Sequence, residues 1–350
     1  MNTVGILVDA SVFRNIKSGK TGTERLSLYN KAAKNHGLIP VYLCLDKISP
    51  DSGKTYGYQY VNGKYVYKRV SIPKVIHNRA LPPSRKMRKR LARLARSYYI
   101  FNARNRYSKY RIHQLLKDRF ASHLPVTVPY SKGNLERMMN RFNSLFLKPV
   151  NSSVGKGIVK VIRKSDGSWK IRSPVKSDTV SLRRVAKKVN ARMIRKGYLI
   201  QETIPLAKYK GKPYDIRVSV QRGFDGDWHV TGMFAKVAGK GRYVTNVARG
   251  GSAKKVKPLL EHNFSNSAQV ADHVKQISLD ITRFLGSRLK NLADVGLDIG
   301  VDASGKPYFI ELNGRDQRYG FKKAKMQRAF YRSYETPILY AKYLLRKGNS

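Results

Sequence analysis

Cysteine is almost absent from this 350-residue chain: Cys44 stands alone, inside the apolar run "VYLCL". That excludes an internal disulfide framework and a cysteine zinc site, and a lone thiol in such a run reads as structural rather than nucleophilic. The pattern suits a reducing cytoplasm. Acids are scarce as well, 21 against 71 lysines and arginines, which gives a formal charge of +50. No apolar run approaches the ~18 residues of a membrane span. The opening "MNTVGILVDASVF" has no basic leader before an apolar core. Neither a transmembrane segment nor a secretory signal is therefore expected. Zinc-finger spacing, an RNP-type strand, internal repeats and a low-complexity tail are missing too.

What is present is a foldable chain, 41% hydrophobic and long enough for two or three subdomains, not a disordered basic tail. A field of +50 attracts polyanions and weakens with salt. Nucleic acid, an anionic membrane surface, an acidic polypeptide and nucleotide phosphates all satisfy it.

The front of the chain alternates strand and helix. "VGILVD" and "LIPVYLCLD" read as strands around a helix over Thr23–His36 stopped by Gly37, a βαβ opening that predicts a parallel sheet. Residues 51–70 hold an Asn-Gly pair between alternating segments, which predicts a hairpin. "PKVIHNR" is a further strand. The basic run from Pro82 to Arg119 carries Leu91, Leu94, Ile112, Leu115 and Leu116 at helical spacing, so its charges read as the wet face of helices in preference to a nucleic-acid surface. From about residue 145 the texture changes to short strands and glycine turns, with helices expected over 180–196, 267–290 and 333–347. The fold class is therefore an α/β front end joined to an α+β remainder, with the boundary between residues 100 and 130.

Four stretches carry chemistry. "LDIGVDASGKPYFIELNG", residues 297–314, reads as a hairpin around a turn centred on Ser304–Gly305. That register sets Asp298 opposite Glu311, with Asn313 on the same face. Facing carboxylates repel; a hard cation such as Mg²⁺ would relieve them, as would simple solvation on an exposed hairpin. "LFLKPVNSSVGKGIVKV", residues 145–161, places Lys148 on a strand before a loop with Ser152, Ser153, Gly155 and Gly157. Such a loop suits phosphate oxygens, although it is no Walker loop and a plain hairpin turn fits it equally. "GYLIQETI" ends a strand at Gln201–Glu202, where an open edge would meet a planar base. "YDIRVSVQ" alternates, with Asp215, Arg217, Ser219 and Gln221 on one face and Ile216, Val218 and Val220 on the other. There Arg217 either reaches an anion with two parallel bonds or forms an ordinary surface pair with Asp215. Lys236 and Asn246 extend the polar set, and "RGGSA", residues 249–253, is a second glycine-rich loop.

The order of these parts resembles the ATP-grasp superfamily, and within it the YheC/YheD group of endospore coat-associated proteins. "HNRALPPSRK", "LPVTVPY", "FLKPVNSSVGKGI", "DIRVSVQ", "VTGMFAKVAGKG", "VTNVARGG" and "GLDIGVD…FIELNGR" are similar to that group's segments, in its order, over residues 75–315. The resemblance implies an N-terminal α/β pre-ATP-grasp domain over 1–110, a lid subdomain with the phosphate loop over 111–200, and a C-terminal subdomain over 201–350. ATP would lie between the last two. It implies Lys109 and Lys148 as phosphate-contacting lysines, the loop with Ser152, Ser153, Gly155 and Gly157 as a lid, and Gln201 and Glu202 at adenine and ribose. Lys236 and Asn246 would complete the nucleotide site. Arg217, near the γ-phosphate, and Arg315 would be the catalytic arginines, and Asp298, Glu311 and Asn313 the Mg²⁺ ligands. Two positions depart from the pattern: Asp316 stands where a proline often follows, and Tyr110 where tryptophan is common.

The activity so implied is ATP-dependent ligation of a carboxylate to an amine through an acylphosphate. The charge points to an acidic, glutamate-rich peptide or coat protein as acceptor, in the mother cell cytoplasm or spore coat. The competing readings are a coat component that binds ATP without catalysis and, last, a salt-sensitive nucleic-acid binder.

Overall fold

A computed structural model describes residues 2–150, 157–172, 177–180, 197–239, 245 and 250–348. It contains three sheets. The first comprises β1 (Thr3–Val8), β2 (Ile39–Cys44), β3 (Lys54–Val61), β4 (Lys64–Ser71), β5 (Val75–Asn78) and β6 (Tyr99–Phe101), in the order 4-3-2-1-5-6. Strands β2, β1, β5 and β6 run parallel, as the βαβ opening predicts. The β3–β4 hairpin turns at Asn62 and Gly63, both at positive φ (47° and 81°), which a two-residue turn matched to strand twist requires.

The second sheet comprises β7 (Thr127–Pro129), β8 (Ser144–Pro149), β9 (Val159–Arg163), β10 (Trp169–Arg172), β11 (Ser177–Val180) and β12 (Tyr198–Glu202), in the order 11-10-9-8-12-7. The third comprises β13 (Lys208–Tyr209), β14 (Lys212–Arg222), β15 (Trp228–Val237), β16 (Ser252–Lys254), β17 (Asp294–Val301) and β18 (Pro307–Asn313). Its order is 16-15-14-17-18, with β13 on β14. The described pairings in these two sheets are antiparallel.

Helix Ser267–Arg288 covers one face of the third sheet, where Val274, Ile281 and Leu285 meet Ile216, Val218, Val220 and Leu297 in one core. Helix Lys109–Leu116 joins that core through Ile112 and Leu116. The other face of β14 is polar by sequence yet equally buried: helix Gln327–Lys347 packs between its Gln221 end and the first sheet, and ion pairs cover Asp215 and Arg217. That helix starts six residues before its expected Ser333 and tolerates Pro337 inside. Proline leaves the carbonyl four residues back without its helical donor, and here the Gln221 side-chain amide supplies it, donating to Ser333 O at 3.0 Å.

Two further expectations shift, and a third is left untested. The helix beginning at Thr23 starts at Leu26. The basic run is interrupted by β6 between helices Arg85–Ser97 and Lys109–Leu116, since "YIF" supplies an apolar segment that completes the parallel sheet. The helix over 180–196 falls outside the described residues except at Val180, which ends β11. On helix Arg85–Ser97 the leucines Leu91 and Leu94 are buried, while Arg85, Lys86, Arg88, Lys89, Arg93 and Arg96 face solvent.

Packing between the third sheet and the C-terminal region is tight at Gly320, where an added Cβ would lie 2.0 Å from the Phe234 ring. That ring stands edge-on to Phe321 at 5.0 Å and cannot retreat. Gly320→Ala is expected to lower stability by about 1–3 kcal/mol, read as a shift in urea midpoint.

Candidate functional site

A cleft between the second and third sheets is lined by Lys109, Lys148, Gln201, Glu202, Arg217, Lys236, Asp298, Glu311, Asn313 and Arg315. Most of the residues singled out in the sequence thus meet in one place. Ser152, Ser153, Gly155 and Asn246 lie outside the described residues, as does part of "RGGSA". Gly157 sits at φ +80° with its carbonyl accepting from the Tyr198 hydroxyl at 3.2 Å, and Ile158 beside it lines the cleft.

The terminal hairpin sets Asp298 opposite Glu311, as expected, by a different route. Ile299–Phe309, Gly300–Tyr308 and Val301–Pro307 centre the turn on Ser304 alone, and Ile310 is an extra residue without a partner. This β-bulge restores the pairing one step on. The two acids are not left confronting each other. Asp298 accepts from Arg217 Nε at 2.6 Å and Nη2 at 3.3 Å, and from Lys236 Nζ at 2.9 Å. Glu311 Oε1 lies 3.2 Å from Lys109 Nζ. The chain's own cations already relieve the repulsion, so repulsion by itself does not call for a metal.

Arg217 is gripped from two sides, its Nη1 donating to Asp316 Oδ1 at 2.9 Å. It does not pair with Asp215, which instead takes Lys236 at 2.9 Å and the Thr245 hydroxyl. The reason is pairing across strands: Asp298 lies directly opposite Arg217, while Asp215 and Arg217 are successive residues of one strand face. Burial opposes the charge of Arg217, but Asp298 and Asp316 outweigh it and hold the guanidinium above its ordinary range. Burial likewise acts against Asp298, yet Arg217 and Lys236 keep its carboxyl well below the usual range. Asp215, desolvated and close to Asp298, is pushed up despite Lys236.

Lys148 projects from β8 onto the Gln201 side-chain oxygen, and the Gln201 amide donates to Thr127 Oγ1 at 2.9 Å. Burial, then the nearby Lys109, pushes the Lys148 ammonium down to about 8. Strand β12 lies between β8 and β7, so Gln201 is not at an open strand edge; short β7, in "LPVTVPY", covers it.

Sequence reasoning missed three acids. Asp316 is fully buried under Arg217 and accepts the Ser219 hydroxyl, and its backbone oxygen accepts from Arg79 Nη2 at 2.8 Å. Gly296 makes room for this pair, since a Cβ there would lie 2.9 Å from Arg217 Cδ and closer still to Asp316. Asp9 holds Arg315 Nη1 at 2.7 Å, and Glu24 binds Arg79 at 2.7 Å, with Arg315 Nη2 3.9 Å away. Partners 55 to 306 residues apart leave no local pattern; the only signal was Asp316 in place of a common proline.

The family profile described as YheC/D-like ATP-grasp matches residues 97–344. Endospore coat-associated protein YheD of Bacillus subtilis (strain 168) is 28% identical over 327 residues, 86% of this chain and 70% of that protein. Among solved structures, the ATP-grasp ligase PsnB complexed with a phosphomimetic variant of its minimal precursor, Mg and ADP aligns with a TM-score of 0.53 at 13% identity. That alignment covers 95% of this chain and 99% of PsnB. The VanG D-Ala:D-Ser ligase of Enterococcus faecalis aligns with a TM-score of 0.54 at 13% identity, covering 97% and 99%. The structural likenesses establish an ATP-grasp fold. No helix among the described residues is long and apolar enough to cross a membrane.

Proposed function

The chain belongs to the YheC/D-like ATP-grasp family, and from that premise we propose that it is an ATP-dependent carboxylate–amine ligase whose acceptor is an acidic, glutamate-rich polypeptide. The observation that carries this reading is a single cleft lined by Lys109, Lys148, Arg217, Lys236 and Arg315 together with Glu311, Asn313 and Asp298. A carboxylate oxygen would attack the γ-phosphorus of ATP, the bond to the β-phosphate oxygen would break, and ADP would leave. An amine would then attack the acyl carbon, expel phosphate and lose its proton. Such chemistry asks the protein mainly for positioning and charge neutralisation. Lys109 and Lys148 supply positive charge. Arg217, pinned by two carboxylates, needs no reorganisation to stay aligned.

The donor set fits Mg²⁺ at Glu311 and Asn313. They are two residues apart on β18, both reach the cleft, and the Glu311 side chain remains 30% exposed with only Oε1 given to Lys109. Asp298, whose oxygens already accept Arg217 and Lys236, fits less well and serves chiefly to hold those cations. Bound there, Mg²⁺ would act as a Lewis acid screening phosphate charge. The division at residues 1–110, 111–200 and 201–350 is retained as part of the proposal.

Incubation with Mg-ATP, glutamate and acidic peptides, followed by phosphate release and product mass, tests the reading. ATP turnover with mass gain on an acidic peptide is expected; no turnover with any carboxylate would reject it. A second reading, an ATP-binding coat component without catalysis, draws on the coat-associated relative and on an Arg217 already engaged by the protein's own acids.

Nucleotide affinity carries a pH signature. Lys148 is charged below about 8 and neutral above it, and only the charged form attracts phosphate. Affinity is expected to hold at neutral pH and fall up to about tenfold per unit above pH 8, followed by calorimetry; Lys148→Arg should flatten the profile.

A further inference from the structure

Away from the cleft, a second cavity of about 1040 Å³ opens between the loop at 16–19, helix Leu26–Asn35, the start of β2 and the tip of the β3–β4 hairpin. Lys17, Lys31, Lys34 and Lys64 line it, and no carboxylate does. All four lysines are exposed, and among the described residues none has an acidic partner. Four like charges around one hollow repel each other and raise the local concentration of anions. One wall is held in place: the Tyr60 and Tyr65 rings stand 5.0 Å apart, Asn30 Nδ2 donates to the Tyr65 hydroxyl at 3.0 Å, and buried Tyr42 donates to Asn30 Oδ1 at 2.6 Å. Ile39, half exposed, adds apolar surface at the rim.

We propose that this cavity is a docking site for an acidic segment of a partner polypeptide. The lysines come from three separate chain segments, so a ligand meeting all of them carries negative charges spaced along its length, as a run of glutamates or aspartates does and a single phosphate does not. Among the described residues strand β4, whose first residues border the cavity, pairs only with β3. Its outer edge therefore presents unpaired backbone groups, which an extended polypeptide can use as a ladder and a nucleic acid cannot. The tyrosine pair receives an apolar or aromatic side chain of the same segment. No lining residue is shared with the cleft, so this site stands whether or not the cleft is catalytic.

The test is fluorescence anisotropy with a fluorescein-labelled oligoglutamate peptide, the full chain and no nucleotide, at physiological salt. The variant Lys17→Ser/Lys31→Ser/Lys34→Ser/Lys64→Ser is expected to bind about tenfold more weakly, the sum of four modest exposed ion pairs. A control with the same charge change on helix Arg85–Ser97, Lys86→Ser/Arg88→Ser/Lys89→Ser/Arg96→Ser, is expected to stay within about twofold of wild type on the same scale. The altered side chains are exposed, and thermal midpoints check that both variants fold. Equal losses in the two variants, or no loss in the first, would overturn the proposal. So would a single-stranded oligonucleotide or polyphosphate of matched charge that displaces the peptide as well as unlabelled oligoglutamate does.

Discussion

Glu311→Gln is expected to cut ATP turnover by about 100-fold or more while leaving the protein folded at near wild-type stability. Removing one preorganised electrostatic contact to a reacting centre typically costs 10²–10³ in rate (about 2.7–4 kcal/mol). Under the proposed function the change also deletes the carboxylate assigned to the divalent cation. The folded state notices little, because the Lys109–Glu311 contact is partly exposed (19% and 30%) and ion pairs open to solvent contribute about 0–1 kcal/mol. The amide keeps the shape and still accepts from Lys109. Phosphate release gives the rate, and urea denaturation gives the stability. A variant as active as wild type would remove Glu311 from the chemistry. A stability loss of several kcal/mol would make it a structural residue instead.

Asp294→Ala should produce the reverse: a loss of stability of about 3–5 kcal/mol, the usual cost of stranding buried charge. Asp294 Oδ2 accepts from Arg318 Nη2 at 2.6 Å and lies 3.6 Å from Arg79 Nη1, and Oδ1 accepts from Gln221 at 2.9 Å. His77 Nε2 is 3.1 Å away but off the line of a hydrogen bond. Every member of this group is buried, so the guanidinium groups left behind have no access to bulk solvent. Burial opposes the charge of Asp294, yet Arg318, His77 and Arg79 outweigh it and hold the carboxyl far below the usual range.

The signs of the two titrations agree. For Asp294, with a depressed folded value, the stabilisation is present above the unfolded carboxylate pKa of about 4 and is lost as pH falls further. For His77, burial pushes the ring down to about 4 despite Asp294. The unfolded chain therefore takes a proton near pH 6.5 that the folded one refuses, and stability falls between about 6.5 and 4 by roughly 3 kcal/mol. Urea midpoints across that window should drop steeply in the wild type and flatten in His77→Phe. A wild-type midpoint constant from pH 6.5 to 4 would mean that the histidine is not desolvated as described.

Local order was legible without the fold. Alternation in "YDIRVSVQ" separated Ile216, Val218 and Val220, which enter the core, from Asp215, Arg217, Ser219 and Gln221, which share the other face. The Asn62–Gly63 turn, the strand bearing Lys148 and the meeting of Asp298 with Glu311 followed from short-range spacing as well. The last was reached only because the Ile310 bulge compensated for a turn centred half a residue away.

The sequence by itself determined most of the strands, the face each side chain takes along them, and the family that the motif order resembles. These properties depend on neighbours a few positions apart, where backbone geometry leaves few choices. Tertiary structure alone decided that Arg217 belongs to Asp298 and Asp316, that Arg315 reaches Asp9, that β12 is an interior strand, and that the polar face of β14 is buried, its Gln221 end under the C-terminal helix. Those partners are selected by sheet order and by the need to neutralise every buried charge at once, and that condition involves the whole chain.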